Sequence, residues 1–210
     1  MKGIFITFEG SEGCCKSTQS RLLYEYLKKK GYKVVYAREP GGTKISEKIR
    51  EVLLDPKNHI TPACEMLLYM AARAQVINEI IGPALRKGRI VISDRFLDST
   101  LAYQGYGLGI DLKTIKYIGN FVSRGIKPDL TVFLDLPTKE GLGVCGRIKD
   151  RIEKRSLAYH FCVRRGYLKL AYLEPKRIKV VKVHDDKCVT QDRIRRIVLD
   201  KISNLVNRNS

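Results

Sequence analysis

The sequence predicts a three-layer α/β protein in which a five-stranded, largely parallel sheet lies between helices. Five short apolar runs rich in β-branched residues alternate with longer segments of helical periodicity. Parallel strands need a crossover between them, and a helix is the usual one. No internal repeat or low-complexity linker interrupts the alternation. In such sheets ligands bind at the carboxyl ends of the strands.

The predicted elements follow one another in a regular order. Strands are expected at residues 4–8, 33–37, 89–93, 130–134 and 179–183. Helices are expected at residues 16–30, 46–54, 61–87, 112–124, 155–173 and 190–206. In the first helix Leu23 and Leu27 lie on one apolar stripe, and Gly31 marks the end.

Length and hydropathy predict a single soluble domain over residues 1–210. A chain of 210 residues with 44% hydrophobic residues can bury one substantial core and is short for two. No apolar run reaches the roughly 18 residues of a membrane span, and the apolar N-terminal segment is interrupted at Glu9. Neither a membrane partner nor a signal peptide is predicted, and the expected location is the cytoplasm.

The six cysteines predict free thiols. They are scattered without a C-x-x-C pair or a histidine at zinc spacing, which argues against a disulfide framework and a zinc site.

The charge is strongly basic, with 40 Lys+Arg against 22 Asp+Glu and a net charge of +18. Such a chain attracts polyanions. The cations are nevertheless spread along the sequence, as in residues 28–30 and 193–196, and are not interleaved with stacking aromatics. A solvated lysine-rich surface accounts for this pattern, so no nucleic acid partner is predicted.

A phosphate-binding loop follows the first predicted strand and opens the first predicted helix. Its residues are Gly10, Ser11, Glu12, Gly13, Cys14, Cys15, Lys16, Ser17 and Thr18. Small residues let successive backbone N–H groups face the phosphates of ATP, a lysine neutralises the β/γ oxygens, and a hydroxyl ligates Mg²⁺. Lys16 and Ser17 fit the last two roles, which predicts a P-loop NTPase fold.

Cys15 departs from the pattern G-x-x-x-x-G-K-[ST], in which glycine precedes the lysine. If this position requires a positive φ, a side chain there costs about 1–2 kcal/mol. Its sulfur would also crowd the space nearest the phosphate. Weakened nucleotide affinity is therefore expected.

Two further segments end predicted strands at the same edge of the sheet. After the third strand, Asp94 can hold Mg²⁺ and Arg95 can bridge donor and acceptor phosphates. After the second, a Pro-Gly-Gly turn would aim Arg38 toward the cleft. A capping aspartate, a surface arginine and an ordinary turn are the alternatives.

Tyr69 and Arg73 share one face of a predicted helix because they are four residues apart. The ring could stack on a base and the guanidinium could bind its edge. A core role is the alternative for the tyrosine.

Taken together, these segments resemble the thymidylate kinase family. The resemblance rests on residues 8–10, 38–43, 69–73, 94–96 and 99–105, covers most of the chain and weakens after about residue 183. It implies the nucleoside-monophosphate kinase fold with a short lid. It also implies phosphorylation of dTMP to dTDP by MgATP in a homodimer.

The resemblance assigns roles to individual residues. It implies that Arg38 and Arg95 hold the acceptor phosphate, that Tyr69 stacks on thymine, and that Tyr103 excludes a ribose 2′-hydroxyl. It also implies that the base is read by Arg73, Thr100 and Gln104. Glu12 and Ser99 complete the expected dTMP site, with Glu12 near the sugar and phosphate. The expected catalytic residues are Lys16, Asp94, Arg95, Arg147 and Arg151.

The lid is expected at about residues 141–153. In bacterial relatives this segment supplies arginines that close over the transferring phosphate, and here Gly143, Val144 and Cys145 occupy part of it. Arg147 and Arg151 remain as candidates. An arginine spreads positive charge over the equatorial oxygens, and closure excludes water. Few lid arginines and a crowded loop predict slow chemistry.

Three alternative functions make different demands on the sequence. A GTPase is disfavoured because the nearest stretch to [NT]-K-x-D, residues 138–141, lacks the aspartate. A kinase for another pyrimidine monophosphate is a second alternative. The feature that discriminates it is the base pocket of Tyr69, Arg73, Thr100 and Gln104, which suits a pyrimidine carbonyl and imide. A nucleotide-binding relative with weakened or lost catalysis would be consistent with Cys15 and the thinned lid.

Overall fold

Five parallel strands form the central sheet of the structure, a computed structural model that describes residues 3–146 and 150–206. The strands are β1 (Ile4–Glu9), β2 (Val34–Arg38), β3 (Ile90–Asp94), β4 (Leu130–Asp135) and β5 (Ile178–Lys182). Their spatial order is β2-β3-β1-β4-β5, and every neighbouring pair is parallel. The predicted sheet is confirmed, with each strand end within one residue of its expected position.

Helices connect all successive strands. They are α1 (Lys16–Lys29), α2 (Lys44–Leu54), α3 (Pro62–Val76), α4 (Gly82–Arg86), α5 (Leu97–Thr100), α6 (Leu112–Val122), α7 (Thr138–Val144), α8 (Leu157–Leu173) and α9 (Lys187–Val206). Two π-helical segments, Ile77–Ile81 and Leu101–Gly107, continue α3 and α5. Side-chain caps define several starts: Thr43 accepts from Ser46 N and Ser156 from Tyr159 N.

The helix expected at residues 61–87 is not one regular helix. It consists of α3, the π-helical segment Ile77–Ile81 and α4. Pro83 has no N–H to donate and its ring disfavours regular α-helix through the preceding turn, which accounts for a break that periodicity does not reveal. The segment Leu97–Gly107 and α7 are helices that the sequence patterns did not predict. Two glycines in the first and two in the second weaken the helical signal.

The helices cover both faces of the sheet. In β1 alternate residues face opposite sides. Ile6 and Phe8 pack with Leu23 of α1 and Val198 of α9. On the other face, Phe5 meets Phe96 edge-on at 4.9 Å between ring centroids, and Phe133 of β4 stacks on Tyr167 of α8 at 5.1 Å. These layers hold the strand ends in fixed positions.

The strand order brings the ends of β1 and β3 together. Phe8 pairs with Asp94, and the Arg95 backbone N–H donates to Phe8 O at 2.9 Å. β1 lies between β3 and β4. The connection that follows β1 therefore leaves the sheet at the point where the strand order reverses, which is the usual place for a ligand cleft. Within the described ranges, no helix is both long and apolar enough to cross a membrane.

Candidate active site

The loop between β1 and α1 has the backbone of a phosphate-binding turn. Gly13 has φ 72°, and a Cβ there would lie 1.9 Å from Gly141 O, so only glycine fits. Lys16 starts α1, is nearly buried, and its Nζ donates to Ser11 O at 2.7 Å. The lysine therefore lies across the loop that would surround the phosphates.

Cys15 occupies the left-handed region, with φ 59° and ψ 27°. The positive φ that makes a side chain costly at this position is thus present, and the residue is not glycine. The thiol is exposed, its Sγ donates weakly to Gly13 O at 3.8 Å, and it lines the same cavity as Lys16. The neighbouring Cys14 is buried and packs beneath the loop, where its Sγ donates to Ser11 O at 3.0 Å.

Ser17 and Asp94 meet at the expected metal site. The Ser17 hydroxyl donates to Asp94 Oδ2 at 2.5 Å, which joins the first turn of α1 to the end of β3. Mg²⁺ typically takes one or two protein oxygens and completes its shell with water and phosphate. A hydroxyl and a carboxylate fit that demand. In the part of the chain that the structure describes, no cluster of three or more His, Cys, Asp or Glu suggests an all-protein metal cage.

Arg95 links the phosphate loop to the second half of the site. Its own backbone has φ 73°. Nη1 donates to Gly10 O and to Ser99 Oγ, each at 3.1 Å, and Nη2 donates to Glu12 Oε1 at 3.1 Å. The guanidinium carbon lies 4.9 Å from the centre of the Tyr103 ring, whose hydroxyl donates to Glu12 at 2.6 Å. Groups of the protein itself therefore hold the arginine on several sides.

The pKa values of Glu12 and Glu9 are shifted in opposite directions, although only three positions separate the two residues in the sequence. Burial alone would raise the pKa of Glu12, but the positive charges of Arg95 and Lys16 lower it to about 2. Burial, with the negative charge of Asp98, raises the pKa of Glu9 to about 7. Glu9 accepts from Phe96 N at 2.7 Å, Ser99 Oγ at 2.5 Å and Tyr167 OH at 2.8 Å. It thus secures the backbone next to Arg95.

The predicted base-reading residues line one pocket. Tyr69, Arg73, Thr100 and Gln104 surround a cavity of about 110 Å³, with Ser99 and Tyr103 at its sides. Both terminal nitrogens of Arg73 donate to Thr100 Oγ1 at 3.1 Å. Burial raises the pKa of the Tyr69 phenol, so it stays neutral.

A second cavity, of about 540 Å³, lies over the phosphate loop. The residues that line it include Lys16, Ser17, Thr18, Arg38 and Asp94, so Arg38 lies at the cleft. Arg38 also pairs with Glu47 at 2.7 Å. The two cavities share Glu12, Glu39, Arg50, Arg95 and Asp150. One continuous cleft therefore joins the loop to the base pocket.

Sequence reasoning missed several residues of this cleft. Glu39 pairs with Arg73 at 2.7 Å, and its other oxygen, Oε1, is buried without a hydrogen bond to any described residue. Arg50 donates to Pro40 O at 3.0 Å and lines both cavities. The Arg-Glu-Pro-Gly-Gly-Thr segment was a signal for Glu39, but only its arginine was assigned a role.

The structure places Arg151 elsewhere than expected. Its Nη1 lies 2.5 Å from Glu65 Oε2 and its Nε donates to Leu53 O at 2.7 Å, so it does not line either cavity. Glu65 is buried and lies far from Arg151 in the sequence, so local patterns could not show this ion pair. Arg147 lies outside the described residues. From the expected lid, Val144, Asp150 and Glu153 do reach the phosphate cavity.

Comparisons with known proteins agree with this geometry. The family model for thymidylate kinase matches residues 8–194 of the chain. A thymidylate kinase of Thermoanaerobacter pseudethanolicus is 46% identical over 194 residues, covering 89% of this chain and 96% of that protein. One from Geotalea daltonii is 49% identical over 189 residues, covering 85% and 88%.

Solved structures give the same result. The crystal structure of thymidylate kinase from Ehrlichia chaffeensis matches with a TM-score of 0.79 and 35% sequence identity, covering 95% of this chain and all of that one. The residues matched by the family model include the phosphate loop, the base pocket and the strands whose order brings them together. The chain therefore belongs to the thymidylate kinase family.

Proposed function

We propose that this kinase transfers the γ-phosphoryl group of ATP to dTMP, giving dTDP and ADP, with the two halves of the cleft holding donor and acceptor. The observation that carries the proposal is the placement of Arg95. It contacts the phosphate loop through Gly10 O and the acceptor half through Glu12, Ser99 and Tyr103. A single cation at the junction can bind the acceptor phosphate against the donor.

The donor side is built from the phosphate loop. The backbone of residues 10–15 and the Lys16 ammonium would bind the phosphates of ATP, and Arg38 would face them across the cavity. Ser17 and Asp94 would hold Mg²⁺, which when bound neutralises charge on the β- and γ-phosphate oxygens. We expect a lid at about residues 141–153 to exclude water from this cavity during transfer.

The acceptor side positions the attacking oxygen. The base would lie against Tyr69, with its edge toward Arg73, Thr100 and Gln104. Arg38 and Arg95 would hold its phosphate, an oxygen of which attacks the γ-phosphorus while the bond to the bridging oxygen of ADP breaks. Because a phosphate monoester is largely dianionic near neutral pH, this attack needs no side chain as a general base. The Glu12 carboxylate then serves to orient Arg95 and Tyr103.

One assay of the purified chain tests the function. With MgATP in excess, dTMP, dUMP, UMP, CMP and AMP are compared as acceptors by coupled detection of ADP. We expect dTMP to have the highest kcat/KM. A better acceptor among the others would overturn the thymidylate assignment. Binding of dTMP without formation of dTDP would instead indicate a relative that has lost catalysis.

A homodimer is proposed from an apolar face formed by neighbouring helices. Tyr117 and Phe121, one turn apart on α6, are 78% and 77% exposed. α3 packs against both α2 and α6, and it exposes Leu67, while α2 exposes Val52. Large exposed apolar residues on adjacent elements mark interaction sites. A second copy of the chain is the proposed occupant.

We also propose a cytoplasmic location and a single functional domain over residues 1–210. The scattered cysteines, which lack a C-x-x-C pair, suit a reducing compartment. Fractionation of cells that express the chain would test the location, and recovery of activity in a membrane or secreted fraction would contradict it.

A further inference from the structure

A buried carboxylate lies directly behind the base pocket. Glu65 of α3 is 0% exposed, does not line the cavity and has no role in the transfer as proposed above. Its Oε1 accepts from Gln104 Nε2 at 2.8 Å. Its Oε2 lies 2.6 Å from Arg155 Nη2 and 2.5 Å from Arg151 Nη1. Two guanidinium groups thus provide the counter-charge for one carboxylate.

The contact fixes which end of the Gln104 amide faces the pocket. A carboxylate offers only acceptors, so the glutamine must direct its NH₂ group to Glu65. The carbonyl oxygen then lies on the opposite side of the amide. Within residues 3–146 and 150–206, no donor binds that oxygen, although Gln104 is 2% exposed and lines the pocket beside Arg73 and Tyr69. An acceptor is therefore presented to the base.

This arrangement matches one class of pyrimidine. Thymine and uracil carry an N–H at ring position 3 next to a carbonyl at position 4, whereas cytosine carries an unprotonated nitrogen next to an amino group. The Gln104 oxygen can accept from the position-3 N–H of thymine or uracil. In cytosine it would face the lone pair of the unprotonated ring nitrogen. The Arg73 donors suit a carbonyl and repel an amino group.

We propose that Glu65 is a specificity-determining positioning residue, which selects thymine over cytosine monophosphates by holding the Gln104 amide in one orientation. This inference rests on the proposed function of the pocket. Without Glu65, the amide could rotate and present its NH₂ group to cytosine. A wrong edge that leaves a buried polar group unpaired is disfavoured by roughly 10- to 100-fold.

The decisive variant is Glu65→Gln, which has nearly the same shape but can both donate and accept. The ratio of kcat/KM for dTMP to that for dCMP is measured in each protein. We expect the ratio to fall by about tenfold or more, because dCMP gains relative to dTMP. A purely structural role for Glu65 would lower both values together, and an unchanged ratio would overturn the inference.

Two matched variants separate positioning from general damage. Arg155→Met removes one ion pair with Glu65 but leaves its contact with Gln104, so the ratio should remain that of the parent protein. Glu79→Gln alters another Gln–Glu hydrogen bond, with Gln75, on the exposed surface at the end of α3, and should change neither kcat/KM value. A ratio altered in Arg155→Met as much as in Glu65→Gln would contradict the proposed route.

A double-mutant cycle tests whether Glu65 acts through Gln104. In a Gln104→Met background, Glu65→Gln should leave the dTMP/dCMP ratio unchanged, since there is no amide to orient. The same fold-change with and without Gln104 would overturn the proposal. If Glu65→Gln fails to fold because two guanidiniums lose their counter-charge, Glu65→Gln with Arg155→Met removes one of them, and the same ratio decides.

The parent protein distinguishes the two proposals. If it forms no dTDP from dTMP, the proposed function fails. If it does so and Glu65→Gln keeps the full preference over dCMP, only the inference about Glu65 fails.

Discussion

Arg95 donates from Nη2 to Glu12 Oε1 at 3.1 Å, across 83 positions of sequence. Because the pKa of Glu12 is lowered to about 2, the carboxylate is ionised at every pH at which the enzyme would work. The pair joins the end of β3 to the phosphate loop. It keeps the guanidinium oriented toward both substrates, since charge-assisted hydrogen bonds are stronger than neutral ones.

Glu12→Gln should lower kcat/KM for dTMP by about tenfold or more, because the amide holds Arg95 and Tyr103 less strongly. Steady-state kinetics with saturating MgATP measure the effect. Asp192→Asn is the matched control: it alters an arginine–carboxylate pair, with Arg195, on the exposed surface, where such pairs contribute little. Equal activity of Glu12→Gln and Asp192→Asn would contradict the role of Glu12.

Cys15→Gly should raise the free energy of unfolding by about 1 kcal/mol, because glycine adopts φ 59° without steric conflict. It should also lower the dissociation constant for ATP, since no sulfur would then border the phosphate cavity. Thermal denaturation and calorimetric titration measure the two effects. Arg124→Gly relieves another positive φ, of 52°, on an exposed loop and should stabilise the fold without changing ATP affinity. An ATP dissociation constant for Cys15→Gly that is unchanged or higher would count against the prediction.

Ser17→Ala should increase the Mg²⁺ concentration needed for half-maximal activity, by about tenfold, because it removes one of two oxygens at the proposed metal site. Activity is titrated with Mg²⁺ at fixed ATP, and chelation should abolish it in both proteins. Ser20→Ala lies one turn later in α1, where its hydroxyl contacts Tyr36, and its Mg²⁺ requirement should be that of the parent. Identical titrations for Ser17→Ala and the parent would exclude Ser17 as a ligand.

Glu9 should make stability depend on pH. Since its pKa is raised from 4.5 to about 7 on folding, the folded chain keeps a proton that the unfolded chain releases in this range. Its contribution is therefore fully present below pH 4.5 and lost as pH rises through about 7, by roughly 3 kcal/mol. Glu9→Gln cannot ionise, so its stability relative to the parent should increase over this window.

Denaturant unfolding of both proteins at pH 4.5 and pH 8 measures that difference, and titrations common to both cancel. Glu25→Gln changes an exposed glutamate on α1 and should show no such dependence. A constant difference between Glu9→Gln and the parent across the two pH values would argue against a raised pKa for Glu9.

Phe121→Glu should shift the protein from dimer to monomer, because it places a charge on the apolar face of α6. Analytical ultracentrifugation at several concentrations measures the change. Tyr172→Glu alters a side chain that is equally exposed, at 77%, but lies on α8. It should leave the mass unchanged. A monomeric parent protein, or a dimer that Phe121→Glu does not weaken, would contradict the proposed interface.

The sequence alone determined the alternation of strands and helices, and with it the parallel sheet. It also determined the phosphate loop, because Gly10, Gly13 and Lys16 are close in the chain and their chemistry is local. The pair Tyr69 and Arg73 was accessible for the same reason: spacing of four residues places both on one helix face. The preference for thymine over other pyrimidines came from resemblance.

Tertiary structure decided which distant groups bind one another. Glu9 meets Tyr167 across 158 positions and Glu65 meets Arg155 across 90, and neither partner has a local pattern that indicates the other. Arg151 was expected at the phosphate for its charge and its place in the chain, yet Glu65 binds it. Hydrophobic periodicity indicates which face of a helix or strand is buried. The strand order β2-β3-β1-β4-β5 determines which strand ends lie next to one another. Only after those ends meet do the positive charges of Arg95 and Lys16 lower the pKa of Glu12, while burial and Asp98 raise that of Glu9.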